Sequence, residues 1–227
     1  NAEVQQKLTA PIRVSHTLEG DSFTPKMLRD VATSPDGNTV VFHAVGHLWK
    51  RSLPNGAITR LTAEGTAFEY QPHFSRDGRK LLYTAWSDKT QGSIREIDLA
   101  SGSIRTLSDE PGFYYQPKWS PDGKYLVFIK DGGGSLTGSL NTGTPGIYIT
   151  PTANWSPQKI ADGGEPQFTP DSKSLLYMSG GGLSKKVNRI GLHGQDKREI
   201  LSLKYADSVQ LSPDGKHVAF TELFNAY

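Results

Sequence analysis

Six histidines carry the most obvious chemical potential in this chain: His16, His43, His47, His73, His193 and His217. A zinc protease needs two of them four apart on one helical turn, with a glutamate between them. His43 and His47 have the interval, but the residues around Gly46 predict strands, so the two rings would not converge on an ion. The remaining spacings offer no metal set with carboxylate support. A satisfied or solvent-facing imidazole is the expectation for each. No Gly-x-Ser-x-Gly elbow occurs, so no serine has the context of a nucleophile. The chain has no cysteine, which removes thiolate chemistry and disulfides. Asp36, Asp77, Asp122, Asp171 and Asp214 recur at regular intervals. Recurrence argues for turn structure, because an active-site acid need not be repeated in every unit. No general acid and base pair can be named from what is left. Catalytic, cofactor-binding and metal-binding residues are therefore expected to be absent from this chain.

Binding chemistry is better represented. Phe68, Glu69 and Tyr70 enter one unit, Phe113, Tyr114 and Tyr115 enter the next, and Trp86, Asp88 and Lys89 fall in a neighbouring class of loop. Aromatic residues beside an inner strand pack between units in one reading. In the other, Phe68, Tyr70, Trp86, Tyr114 and Tyr115 form a contact surface for a protein partner. The stretch from Lys130 to Gly146 is long for a hairpin loop and rich in glycine. It lacks the lysine, hydroxyl and following helix of a phosphate cradle. Lys185-Lys186 and Lys197-Arg198 make only a weak basic patch. With 25 basic and 23 acidic residues in 227, the formal charge is +2, and nucleic-acid binding is not expected. No apolar run approaches membrane-spanning length, so no membrane insertion is expected either. The chain begins at Asn1, which predicts processing or excision from something longer and makes a missing signal peptide uninformative.

These residues hang on a repeated phrase. Ser34-Pro35-Asp36-Gly37 returns as Ser75-Arg76-Asp77-Gly78, Ser120-Pro121-Asp122-Gly123, Thr169-Pro170-Asp171-Ser172 and Ser212-Pro213-Asp214-Gly215, at intervals of 41, 45, 49 and 43 residues. A period of that length with β-rich content predicts an all-β propeller. The phrase itself is a turn. Proline presets φ, serine and aspartate bond nearby N–H groups, and glycine allows the exit into the next strand. Ser172 gives up that glycine, so a slightly strained or shifted turn is expected there.

A short strand precedes each phrase and stronger ones follow. The second unit reads 70–74, 80–85, 93–99 and 103–107, with Ile94, Ile97 and Leu99 near one buried side across a local irregularity. Four complete four-stranded antiparallel blades result, with a partial fifth of two strands (207–211 and 217–222). The propeller spans 27–227. Residues 1–26 form an N-terminal extension or tether, with a short helix candidate at 3–8 and an added strand or tether at 12–16. A half-blade would expose a strand edge. The count therefore predicts part of a larger propeller, with two alternatives: closure by residues 12–16, or strands supplied by another chain.

The run Gln116-Pro117-Lys118-Trp119-Ser120-Pro121-Asp122-Gly123-Lys124-Tyr125-Leu126-Val127-Phe128 resembles the blade signature of TolB and of peptidase-associated propellers. Gly46-His47-Leu48-Trp49, Phe68-Glu69-Tyr70-Gln71-Pro72 and Phe220-Thr221-Glu222-Leu223-Phe224-Asn225-Ala226-Tyr227 are more similar to the propeller region of large bacterial amidohydrolase-like proteins. That resemblance implies an exported, periplasmic protein. It implies a non-catalytic propeller that supports or gates a metal-dependent hydrolase domain outside this chain. The His-x-His metal pair of such barrels is absent here, so any divalent metal would belong to that separate domain. The implied partners are the remaining blades and that hydrolase domain. The alternative is a TolB-like module that docks a peptide or protein of the cell envelope.

Overall fold

The computed structural model describes residues 27–62, 67–131, 144–222 and 225–226. The 1–26 extension and most of the 130–146 loop lie outside the described residues. Blade one contains β1 (Arg29–Thr33), β2 (Thr39–Ala44), β3 (His47–Ser52) and β4 (Ile58–Arg60). Blade two contains β5 (Phe68–Phe74), β6 (Lys80–Ser87), β7 (Gln91–Asp98) and β8 (Ile104–Thr106). Blade three contains β9 (Phe113–Trp119), β10 (Tyr125–Asp131), β11 (Gly146–Pro151) and β12 (Gln158–Ala161). Blade four contains β13 (Gly164–Phe168), β14 (Ser174–Ser179), β15 (Lys185–Gly191) and β16 (Arg198–Leu203). The fifth sheet has β17 (Ala206–Leu211), β18 (Val218–Glu222) and a two-residue β19 (Asn225–Ala226), one strand more than the sequence predicts. Each sheet is antiparallel, with its strands in sequence order.

The repeated turns form as their residue types require. In the first, Ser34 Oγ donates to Asp36 Oδ1 at 2.5 Å and accepts the Thr39 N–H at 2.9 Å, while Gly37 N–H donates to the Ser34 carbonyl at 2.9 Å. Gly37 sits at φ +73°, where a Cβ is disfavoured. The hydroxyl bond holds every one of the five aspartates below the usual carboxylate range. Ser172 keeps the same turn. Its N–H donates to the Thr169 carbonyl at 2.8 Å, and it takes φ +58° without being glycine. The turn is strained, as expected, but not shifted in type. Its hydroxyl accepts the Asp122 N–H of the previous blade at 3.0 Å, a bond that glycine could not offer.

Apolar clusters sit between consecutive blades. Val41 and Leu48 of blade one meet Leu81, Tyr83 and Ile97 of blade two. Leu82 and Ile94 meet Tyr114, Leu126 and Phe128 of blade three. Val127 and Ile147 meet Leu175 and Tyr177 of blade four, and Met178 and Val187 meet Ala206 and Val209 of the fifth sheet. The second strands of blades one to four thus bury residues on both faces, which defines blades leaning on one another. Ile94 and Ile97 do not share a side. They are an odd number of residues apart in an unbroken register, from Lys80↔Asp98 to Ser87↔Gln91, so they serve opposite seams.

Irregularities lie on the inner strand of every sheet, and also between the outer two strands of blades three and four. A register shift interrupts β1, β5, β9, β13 and β17. Asp30, Gln71, Gln116 and Glu165 take φ between 49° and 53° at the first four. Their side chains reach across the seams. Asp30 Oδ2 accepts the Gln71 N–H at 3.2 Å, Gln71 Oε1 accepts the Gln116 N–H at 2.8 Å, and Gln116 Nε2 donates to Glu165 Oε1 at 2.7 Å. Two residues further along, a second row repeats the device. His73 Nδ1 accepts the Trp119 N–H at 3.4 Å, Lys118 Nζ donates to the Pro166 carbonyl at 3.0 Å, and Gln167 Oε1 accepts the Leu211 N–H at 2.9 Å. Inner strands of neighbouring blades are not paired as a sheet, and these bonds satisfy backbone groups that would otherwise have no partner.

Candidate functional site

The inner strands start, and the second strands end, at one face of the propeller. Phe68 pairs with Trp86 and Tyr70 with Thr84 there. Glu69, between the two aromatics, is buried. It accepts the Leu48 N–H at 3.0 Å and the Thr62 hydroxyl at 2.8 Å, and so ties the start of β5 to blade one. Alternation along the strand then turns Phe68 and Tyr70 away from that anchor. In the next blade Phe113 and Tyr115 occupy the corresponding positions, opposite Asp131 and Ile129.

The result is a cavity of about 320 Å³ between blades two and three. Tyr70, Trp86, Phe113 and Tyr115 form its walls, with Gln71 and Asp30 on the side of blade one. The Trp86 and Phe113 rings stack at 4.5 Å and 14°. Trp86 Nε1 donates to Asp88 Oδ1 at 3.2 Å, which holds the indole upright. Gly92 closes the floor. A Cβ there would fall 2.0 Å from the Gly112 carbonyl oxygen.

Of the five aromatics expected on a contact surface, the cavity gathers four. Tyr115 is open to solvent at 38%, and Tyr70 and Trp86 are half-buried. Tyr114 borders the cavity while only 5% exposed. Its ring packs edge-on against Phe128, and its hydroxyl donates to the Glu110 carbonyl at 2.9 Å. Phe68 stands outside the cavity, 48% exposed, with its ring over Gly46 and 6.5 Å from that of Tyr70. Sequence reasoning named Phe113 as an entering aromatic but left it out of the contact surface, and it missed Asp30 and Gln71. Phe113 had a signal, since it repeats the Phe68 position. Asp30 had none, because it arrives from another blade.

Electrostatics at the site favour neutral phenols beside carboxylates. Burial, then the Asp30 carboxylate, raises the Tyr70 phenol. Burial, then Asp131, raises Tyr115. The His43 ring lies 4.8 Å from that of Tyr70, and burial lowers its pKa despite Asp30. Both of its ring nitrogens are shielded from solvent without a hydrogen-bond partner among the described residues. Among the described residues, His43 packs against the Tyr70 ring and has no hydrogen-bond partner. His47 Nδ1 lies 3.0 Å from Arg60 Nη2 and 3.8 Å from Glu69 Oε2. Among the described residues, no three His, Asp or Glu side chains are placed to hold a metal.

A larger cavity of about 520 Å³ opens on the opposite face, among the repeated turns. Two of its three cations are held by a buried carboxylate, and Arg76 reaches only the Pro121 carbonyl, at 3.5 Å. Lys80 Nζ and Arg105 Nε both bond Glu96 Oε1, at 3.0 and 2.8 Å. The aromatic cavity is thus the better candidate for recognition. It is lined by aromatic rings and a carboxylate, with no nucleophile and base in contact among the described residues.

Radial four-stranded blades with this turn signature define a β-propeller of TolB-like repeats. No family model matches the chain. Among curated proteins it is similar to the Tol-Pal system protein TolB of Francisella tularensis subsp. mediasiatica (strain FSC147), 26% identical over 193 residues that cover 66% of this chain and 44% of the relative. The chain therefore spans less than half the length of that relative. Among solved structures it superposes on TolB from Acinetobacter baumannii with a TM-score of 0.67 at 20% identity, covering 85% of this chain and 48% of the other. It also superposes on oligogalacturonate lyase from Vibrio parahaemolyticus with a TM-score of 0.64 at 14% identity, covering 84% and 57%. At these identities the structural likeness speaks for the fold. Among the described residues, no helix is long and apolar enough to cross a membrane.

Proposed function

We propose that this propeller is an envelope interaction module of the TolB type, which docks a polypeptide partner on its aromatic face. The observation that carries the reading is the cavity walled by Tyr70, Trp86, Phe113 and Tyr115 and flanked by exposed Phe68. Aromatic anchors in a concave site are what protein recognition surfaces use. The similarity to TolB supplies the setting, an exported protein acting among envelope proteins. Support or gating of a hydrolase domain, with a divalent metal in that domain, rests on the sequence resemblance. The likeness to a lyase adds only that this propeller type also occurs in an enzyme.

The test is partner capture from an envelope extract, with the partner identified and its binding then measured with purified components. Phe68→Ala, Tyr70→Ala and Tyr115→Ala together should lower the affinity by tenfold or more, because each removes an anchor worth on the order of 1–2 kcal/mol. Tyr114 is left intact, since truncating it would open the core. Equal affinity of both forms removes the aromatic face from consideration.

A further inference from the structure

We infer that the cavity between blades two and three is built for a cationic side chain, a lysine or arginine of the docked polypeptide. The inference rests on the docking reading above and names the chemistry of its central contact. The argument is one of charge complementarity. Tyr70, Trp86, Phe113 and Tyr115 line a single space, with Trp86 and Phe113 stacked on each other, and aromatic ring faces attract cations. The charged residue in the lining is an aspartate, Asp30. Its Oδ2 accepts the Gln71 N–H at 3.2 Å, which fixes the carboxylate at the mouth. No donor among the described residues bonds Oδ1. Two further carboxylates surround the walls. Asp88 accepts the Trp86 indole N–H at the edge of that ring, and Asp131 lies close enough to Tyr115 to raise its pKa.

One cation beside the cavity wall is already engaged within the fold. Lys130 Nζ stands 5.9 Å from the centre of the Tyr114 ring and is paired with Glu110. That group shows the same recognition already made within the fold: an ammonium over a phenol ring, closed by a carboxylate. The volume, about 320 Å³, is at the small end of ligand cavities and suits one long side chain.

The experiment is a titration followed by NMR, reading the Trp86 indole N–H and the Gly92 and Phe113 amides. The probes are the N-acetyl amides of arginine, lysine, norleucine and glutamate. Arginine and lysine should give saturable shifts at all three positions, and norleucine and glutamate should not. Asp30→Asn should weaken the arginine probe about 3- to 30-fold. The amide oxygen of that variant can still accept the Gln71 N–H, and asparagine tolerates positive φ, so the fold should survive. An unchanged unfolding midpoint checks this. Norleucine binding as tightly as lysine, or an Asp30→Asn affinity equal to the parent, overturns the inference.

The two readings fail differently. If the identified partner loses affinity with the aromatic substitutions but not with Asp30→Asn, docking stands and the cationic contact falls. If neither set matters, docking itself falls.

Discussion

Gln71 reaches across the seam between blades two and three and accepts the backbone N–H of Gln116 at 2.8 Å, while both residues hold positive φ. The bond joins strands that no sheet ladder connects. It also sits beside the aromatic cavity, where Gln71 lines the wall. Seam and site are therefore one piece of structure.

Gln71→Ala should leave the Gln116 N–H without its acceptor in a part-buried place. The expected loss is about 1–3 kcal/mol, since an unsatisfied donor costs more than a hydrogen bond contributes. Urea denaturation should show a lower midpoint at an unchanged slope. Gln71→Glu keeps an acceptor and should lose less. An unchanged midpoint for Gln71→Ala would remove the bond from any account of stability.

Ser172 combines a strained backbone with a useful hydroxyl. Ser172→Ala keeps the strain and loses the bond to Asp122, and should cost about 1 kcal/mol or more. Ser172→Gly relieves the strain while losing the same bond, so the two effects should roughly offset. Thermal unfolding of the pair checks the order. An alanine variant as stable as the glycine variant contradicts it.

His73 makes acid a stress on the second seam. Burial, then the Lys118 ammonium, pushes its pKa from 6.5 down to about 4. The unfolded chain takes up this proton near the ordinary value, and the folded chain only near pH 4. The contribution is thus complete above pH 6.5 and is lost progressively as pH falls toward 4. It is worth up to about 3 kcal/mol. His73→Gln should flatten the stability profile across that window. Gln167 already fills the corresponding position in blade four and accepts the Leu211 N–H there, so the substitution keeps the acceptor. A profile as steep as the parent's would assign the acid sensitivity elsewhere.

How far these features could be read ahead of the structure follows from their range. The Ser-Pro-Asp-Gly turns are local chemistry, and five of them set the number and order of the sheets. The pairing of Ile94 with Ile97 on one side failed because the two are buried on opposite faces of β7, and only the neighbouring blades show which seam each serves. The aromatics at 68, 70, 113 and 115 were visible as a repeat. Asp30 was not, since its place at the cavity depends on how blade one leans on blade two. Nor do glutamine and glutamate announce the left-handed backbone of Gln71, Gln116 and Glu165, a conformation that their types do not favour.

The side-chain bridges between inner strands have one more consequence. A backbone ladder would lock adjoining sheets at a set spacing and angle, whereas a glutamine, a lysine or a histidine spans a gap of adjustable width. Units joined in this manner can be duplicated or deleted one at a time, each newcomer bringing its own connector. Evolution can therefore alter the girth of such a ring by plain gene duplication, without redesigning any joint.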